Sequence, residues 1–202
     1  MPRLARKPEG QYHHGDLRNA LLRAARALLE ERGPSALSLR EIARRIGISA
    51  PSAYHHFSGL EALAEGLAEQ GMEELARLLT EPGGEGRDTL LASGEIYVGF
   101  ARANPALYRL MFGEGFRAGS KSGRRVRDQR KRIAALVQER LRQRLPETEI
   151  PDAGLFLWSV AHGLALLAID RQIEPRANVE EAVRAVLRFA GAGVSAAARG
   201  GR

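Results

Sequence analysis

Four of the five histidines in this 202-residue chain stand in two copies of one tripeptide, Tyr12-His13-His14 and Tyr54-His55-His56. Imidazole and phenol together can bind a metal, move protons, or donate hydrogen bonds to an anion. Neighbouring histidines on a helix point about 100° apart, so they cannot share one ion as an i, i+4 pair does. Cysteine is absent, which removes thiolate ligands and disulfides. The chain has no Gly-rich phosphate loop, no Gly-x-Ser-x-Gly and no His-Glu-x-x-His, so nothing points to an enzyme. Neither a resident metal nor a cofactor is expected. The two copies are not an internal repeat either, since Gly-Asp-Leu-Arg follows one and Phe-Ser-Gly-Leu the other. What remains is that they are two parts of one binding surface, or in the first copy merely solvated imidazoles.

The second copy lies where local signals put two short helices around a tight turn. Ser38 precedes Leu39-Arg-Glu-Ile-Ala-Arg-Arg-Ile-Gly47, and Glu41 completes the spacing of a capping box. Leu39, Ile42, Ala43 and Ile46 give that helix one apolar side, and Gly47 supplies the left-handed residue that ends it. Ser49 caps the next helix, with Pro51 in its first turn, where the missing N–H costs nothing. This is a helix-turn-helix pattern, whose second helix presents its N-terminal residues to base edges in the major groove of DNA. Ser49, Ala50, Pro51 and Ser52 are small enough for close approach. Tyr54, His55 and His56 add donors, Arg40 has the reach for a phosphate or a guanine edge, and Arg44 and Arg45 add positive charge.

The stretch Ser38 to Leu63 resembles the DNA-binding motif of TetR-type bacterial transcriptional regulators. Ile42, Ala43, Gly47, Ser49, Tyr54, His56, Phe57, Glu61 and Leu63 match at the family's spacing, within a resemblance covering roughly residues 12–65. The resemblance implies base contacts at Arg40, Ala50, Pro51 and Ser52, and phosphate contacts at Ser38, Tyr54 and His56. Phe57 would lock the recognition helix into the core. The chain departs from the family at Gly59-Leu60, where Ser-Lys is usual, which removes a lysine that reaches phosphate. Ala50 cannot hydrogen-bond to a base, so readout would lean on a thymine methyl, Arg40 and DNA shape. The first Tyr-His-His resembles the helix 1 entry of a TetR subgroup. His13 and His14 either face the DNA edge or are solvated beside a Tyr12 staple.

Beyond about residue 85 the chain reads as an effector-binding and dimerisation domain. Trp158 and His162 are four apart on one helical face, and Trp-Ser-Val-Ala-His-Gly with Asn-Pro-Ala-Leu-Tyr-Arg-Leu-Met-Phe resembles a WHG-type effector domain. Tyr97, Phe100, Tyr108, Phe112, Trp158 and His162 are candidate pocket residues; the competing reading makes them core. The last two long helices carry more apolar surface than a small bundle can bury, with Leu155, Leu164, Leu166, Val183, Val186 and Leu187 as interface candidates. Two-fold pairing would set DNA half-sites about 34–36 Å apart. The basic run Lys121 to Arg132 reads as a solvated helix face or a source of long-range attraction to DNA.

Composition and punctuation complete the frame. Ala, Leu, Arg and Glu dominate over β-branched and aromatic residues, which predicts an all-α fold of about nine helices. Residues 1–60 carry ten Lys/Arg against five Asp/Glu, residues 61–120 five against ten, and residues 121–202 sixteen against nine. A basic head before an acidic segment suits a localised polyanionic partner. The expected organisation is a flexible basic arm (1–11), a helix-turn-helix domain (12–60), a connecting helix (61–80), an effector and dimerisation domain (85–195) and a disordered tail (196–202). Without a signal peptide or a stretch of 18 uncharged apolar residues, a cytoplasmic bacterial location away from membranes is expected. The reading is a homodimeric regulator, most simply a repressor, that binds a palindromic double-stranded DNA operator and is released by a small-molecule effector. The alternative is a ligand-binding or scaffolding bundle with weakened DNA binding.

Overall fold

Helix formers and their breakers dictate most of the architecture seen in a computed structural model of the chain. It describes residues 14–80, 89–113, 121–173 and 178–200, apart from the side chains of 14–16, 121–122 and 198–200. Among these residues there are nine α-helices and no strand. They are α1 (His14–Arg32), α2 (Leu39–Arg45), α3 (Ala50–His56), α4 (Leu60–Thr80), α5 (Thr89–Ala103), α6 (Pro105–Phe112), α7 (Lys121–Arg142), α8 (Ile150–Ile169) and α9 (Val179–Gly200), with a 3-10 turn at Pro34–Ala36. The expected basic arm, Tyr12, His13 and the Glu81 to Gly86 linker lie outside the described residues. Contacts divide the chain into two units, one ending at Leu63 and the other starting at Ala64.

In the first unit, α1 buries Leu21, Leu22, Ala25, Leu28 and Leu29, the stripe its helical period dictates. Gly33, at φ 78°, ends it. Helix α2 packs against α1 and α3 and buries Leu39, Ile42 and Ala43. Gly47 turns the chain at φ 75°, a conformation only glycine adopts freely. Ala53 and Phe57 form the buried side of α3, and the Arg18 guanidinium sits 5.0 Å from the centroid of the Phe57 ring. The capping box expected at Ser38 does not form: Ser38 makes no side-chain cap, and the Glu41 carboxylate that would complete the box is held by Arg44 and Arg45. Ser49 does cap α3, accepting from the Ser52 N–H at 3.3 Å.

The second unit is built on α5, which packs against α6, α7, α8 and α9. Gly94 makes the close approach to α9 possible, since a Cβ there would lie 2.7 Å from a Leu187 methyl. Arg102–Glu180 and Glu95–Arg184 ion pairs, each at 2.6 Å, flank that contact. Leu90, Leu141, Leu145, Ile150 and Val194 form one core cluster, joining α5, the end of α7, α8 and α9. Helix α8 begins two residues before Asp152, with Pro151 in its first turn, and ends at Ile169 rather than Ile173; Arg171 follows at φ 54°. Helix α9 runs to Gly200, into the tail 196–202 expected to be disordered, consistent with the high helix propensity of Ala196, Ala197 and Ala198. By length and composition alone α8 could cross a membrane, although it contributes buried Ile150, Ala161, Leu164 and Ala165 to the bundle.

Candidate nucleic-acid interface and ligand cavity

The two faces of α3 are divided as a recognition helix requires. Ala53 and the adjoining Phe57 point into the core, while Pro51, Tyr54 and His55 are exposed and Ala50, Ser52 and His56 half-buried. Tyr54 keeps 49% of its surface in solvent despite its ring. At the N-terminus, Ser49 is exposed and the Ser49 and Ser52 hydroxyl oxygens are 2.8 Å apart. The cap therefore fixes the first turn, whose small residues leave its N–H end accessible to an anion. Arg40 is exposed at the start of α2, and Ser38 half-buried just before it. The side chain of His14, like all of His13, lies outside the described residues.

The charge around this motif is more balanced than the sequence implies. Glu41 accepts two 2.8 Å hydrogen bonds from Arg44, and Arg45 reaches Glu31 at 2.9 Å. The Arg44 hydrogen bonds lead in lowering the Glu41 pKa to about 2, with Arg45 assisting. Arg45 likewise lowers Glu31. Two of the three cations near the turn are thus engaged with carboxylates, leaving Arg40 as the clearest candidate for reading DNA. Leu60, 47% exposed at the start of α4, presents a methyl-rich surface where the resembled motif would present an ammonium.

The second unit contains a cavity of about 610 Å3. Its wall comes from the end of α4 and from α5, α6, α7, α8 and α9, and is mainly leucine, isoleucine, valine and alanine. Three of the six aromatic candidates line it: Tyr97, Phe112 and Trp158. Phe100 and Tyr108 are buried, and neither they nor His162 is among the lining residues. These residues nevertheless form one connected group. Tyr108 donates to the Tyr97 hydroxyl at 3.0 Å, and the His162 Nδ1 lies 2.6 Å from the Tyr108 oxygen and 3.1 Å from that of Tyr97. Trp158 stacks near His162, centroids 5.2 Å apart, as their i, i+4 spacing predicts.

Burial raises the pKa of both tyrosines and lowers that of His162, with Arg130 reinforcing the histidine shift. The neutral form of all three side chains is thereby favoured, and a neutral imidazole can accept at Nδ1. Arg130 lies beside this group. Its guanidinium is 5.1 Å from the Phe112 centroid and one Nη donates to the Met111 carbonyl. Its Nε is buried without a hydrogen-bond partner among the described residues, a state that costs a polar group about 1–3 kcal/mol. The wall also includes Lys131 and Arg188 and, among the described residues, no acidic one.

Sequence reasoning missed Arg130 by assigning the basic run to a solvated face. A signal was available: Val126, Arg130, Ile133 and Val137 recur at helical spacing, so Arg130 falls within the apolar stripe of α7. Among the interface candidates, Leu155 and Val186 are exposed and Leu166 is half-buried. Leu164, Val183 and Leu187 are buried within the unit, so they offer little surface to a second copy; Leu187, for example, packs against Gly94 on α5. The exposed apolar residues are instead Leu155 (59%), Phe156, Trp158 and Leu167 on α8, with Val186 and Phe189 (78%) on α9.

Comparison with known proteins follows the same division. Residues 21–67 match the family described as bacterial regulatory proteins, tetR family, and residues 90–190 match the tetracyclin repressor-like C-terminal domain. A solved structure of a protein of unknown function from Rhodococcus sp. RHA1 is 30% identical, with a TM-score of 0.80 over 93% of this chain and 100% of that one. A tetR-family transcriptional regulator from Streptomyces coelicolor is 26% identical, with a TM-score of 0.74 over 92% of this chain and 84% of its own. The chain is also 30% identical over 89 residues to the uncharacterized HTH-type transcriptional regulator YobS of Bacillus subtilis (strain 168). That match spans 42% of this chain and 46% of YobS, less than half of the relative's length.

Proposed function

Since the chain belongs to the TetR family of bacterial regulatory proteins, whose members are DNA-binding transcriptional regulators and not enzymes, we propose that it is a repressor released by a small molecule. In this reading a homodimer binds a palindromic operator. Arg40 and the first turn of α3, from Ser49 to Ser52, approach the bases, Ser38, Tyr54 and His56 hold the backbone, and His55 adds a donor to the same face. The observation that carries the reading is the capped, outward face of α3 opposite buried Ala53 and Phe57.

Dimerisation draws support from the apolar side chains left exposed on α8 and α9, since a second copy would remove them from water. The 610 Å3 cavity supports effector binding, as it lies in the 300–1,000 Å3 range of small-molecule sites. Residues 12–60 would bind DNA and residues 85–195 would bind effector and partner, joined by the helix over 61–80. A coupling of about 1–3 kcal/mol between ligand and DNA affinities is enough for regulation.

The test is a fluorescence-anisotropy titration of the full chain against the duplex upstream of its own coding region, at two salt concentrations. Specific, salt-dependent binding with two chains per site supports the reading. Binding no tighter than to scrambled duplex would reject it in favour of a ligand-binding or scaffolding bundle. That second reading is favoured by the Glu41 and Glu31 carboxylates that engage Arg44 and Arg45, and by Leu60 and Ala50.

A further inference from the structure

We infer that the cavity of the second unit takes an amphiphilic anion, with a carboxylate head at Arg130 and an apolar body along the leucine-rich wall. The inference rests on the reading of this cavity as the effector site, and names the chemical class of its ligand. Three observations carry it. First, Arg130 lies beside an apolar cavity with its Nε–H buried and without a partner among the described residues. Arginine remains protonated in proteins, so the group retains its charge, and its planar fork matches a carboxylate. Second, the wall holds Arg130, Lys131 and Arg188 but, among the described residues, no aspartate or glutamate to supply a counter-charge.

Third, the polar groups around Arg130 suit one head rather than a polar body. Tyr97 lines the cavity near Arg130 and is already hydrogen-bonded within the Tyr108–His162 group. The remaining wall includes Leu79, Leu90, Ile133, Val137 and Leu157, interrupted by Ser93, Gln138 and Ser195. Ser93 is already bonded to the Thr89 carbonyl and to Arg140, and Ser195 to the Gly191 carbonyl, so the wall suits an apolar body better than a sugar or nucleotide. Arg130 is half-buried whereas Lys131 and Arg188 are exposed, so a single negative charge is better matched than a phosphate dianion. One negative charge on an apolar body is the complement.

The test uses the full-length protein and two probes of matched length, dodecanoate and dodecanol, titrated calorimetrically below their aggregation concentrations. The expected result is one dodecanoate per chain, bound at least tenfold more tightly than dodecanol. Arg130→Met should reduce that preference to less than threefold and leave dodecanol affinity unchanged. Equal affinities in the native chain, a preference that survives Arg130→Met, or no binding of either probe would overturn the inference. If Arg130→Met does not fold, as judged by circular dichroism, the acid-to-alcohol comparison in the native chain decides alone. Operator release is measured separately by anisotropy. Arg130-dependent dodecanoate binding without release would sustain the ligand class and reject release by this ligand, whereas equal probe affinities would reject the class and leave effector control intact.

Discussion

The helix-turn-helix and the cavity place their polar side chains by opposite means. In the first, Tyr54 and His55 point outward from a helix of seven residues held by Ala53, Phe57 and a serine cap. Its Arg45–Glu31 ion pair joins residues 14 apart. In the second, the polar groups face inward and meet only through tertiary packing. Tyr97 and His162 are 65 residues apart, and Arg130 is tied to Met111 across 19. An outward-facing contact surface tolerates substitution of its tips but not of its anchor. An inward-facing one is sensitive to any change in how its walls approach.

The anchor should show the largest effect. Phe57→Ala removes a ring that is 2% exposed and sits beneath Arg18; a loss of about 3–5 kcal/mol is expected. Urea denaturation monitored in the first unit checks this, and a loss below about 1 kcal/mol would mean that α3 is held by other contacts. Next comes the wall: Gly94→Ala would bring a Cβ to 2.7 Å from Leu187. Overpacking of this kind costs about 1–3 kcal/mol, read as a lower melting temperature and altered probe binding. An unchanged midpoint would show that the wall yields, contrary to the contrast drawn above.

The tips should cost less in stability than in recognition. Arg40→Ala is expected to leave stability within about 0.5 kcal/mol and to weaken operator binding by about 1–3 kcal/mol with relaxed sequence preference. A uniform loss across all duplexes would move Arg40 from base reading to phosphate holding. Tyr54→Phe is expected to produce that uniform loss.

The smallest effect should come from Glu41→Gln. The folded pKa of Glu41 is depressed from 4.5 to about 2, so its contribution is full above about pH 4.5 and is lost as the pH falls towards 2. The variant should lack that part of the acid dependence, a modest difference because the carboxylate is solvent-screened. Removing this partner of Arg44 should also strengthen DNA binding and steepen its salt dependence by up to about 0.9 in the logarithmic slope. No change in slope would mean that Arg44 does not approach phosphate.

The same contrast explains what could be read in advance. Ser49, Gly47 and the apolar positions of α2 act on neighbours a few residues away, so their roles follow from spacing. The Glu41 half of the capping box at Ser38 was lost to ion pairs with Arg44 and Arg45, a competition that pattern alone does not rank. Leu164 looked like an interface residue because α8 is apolar on several sides, and Val183 and Leu187 because they lie on the apolar side of the amphipathic α9. Which side faces α5 depends on how α8 and α9 rotate against it.

By itself the sequence determined the helices and the turn, because capping, glycine geometry and periodicity are short-range and carried by consecutive residues; the class of partner followed from the family resemblance of residues 38–63. Tertiary structure alone decided which aromatics border the cavity, which leucines are spent in the core, and that the Arg130 found on the apolar stripe of α7 stands beside a cavity. Those outcomes arise from helix-on-helix packing, where the burial of one side chain is set by residues far along the chain.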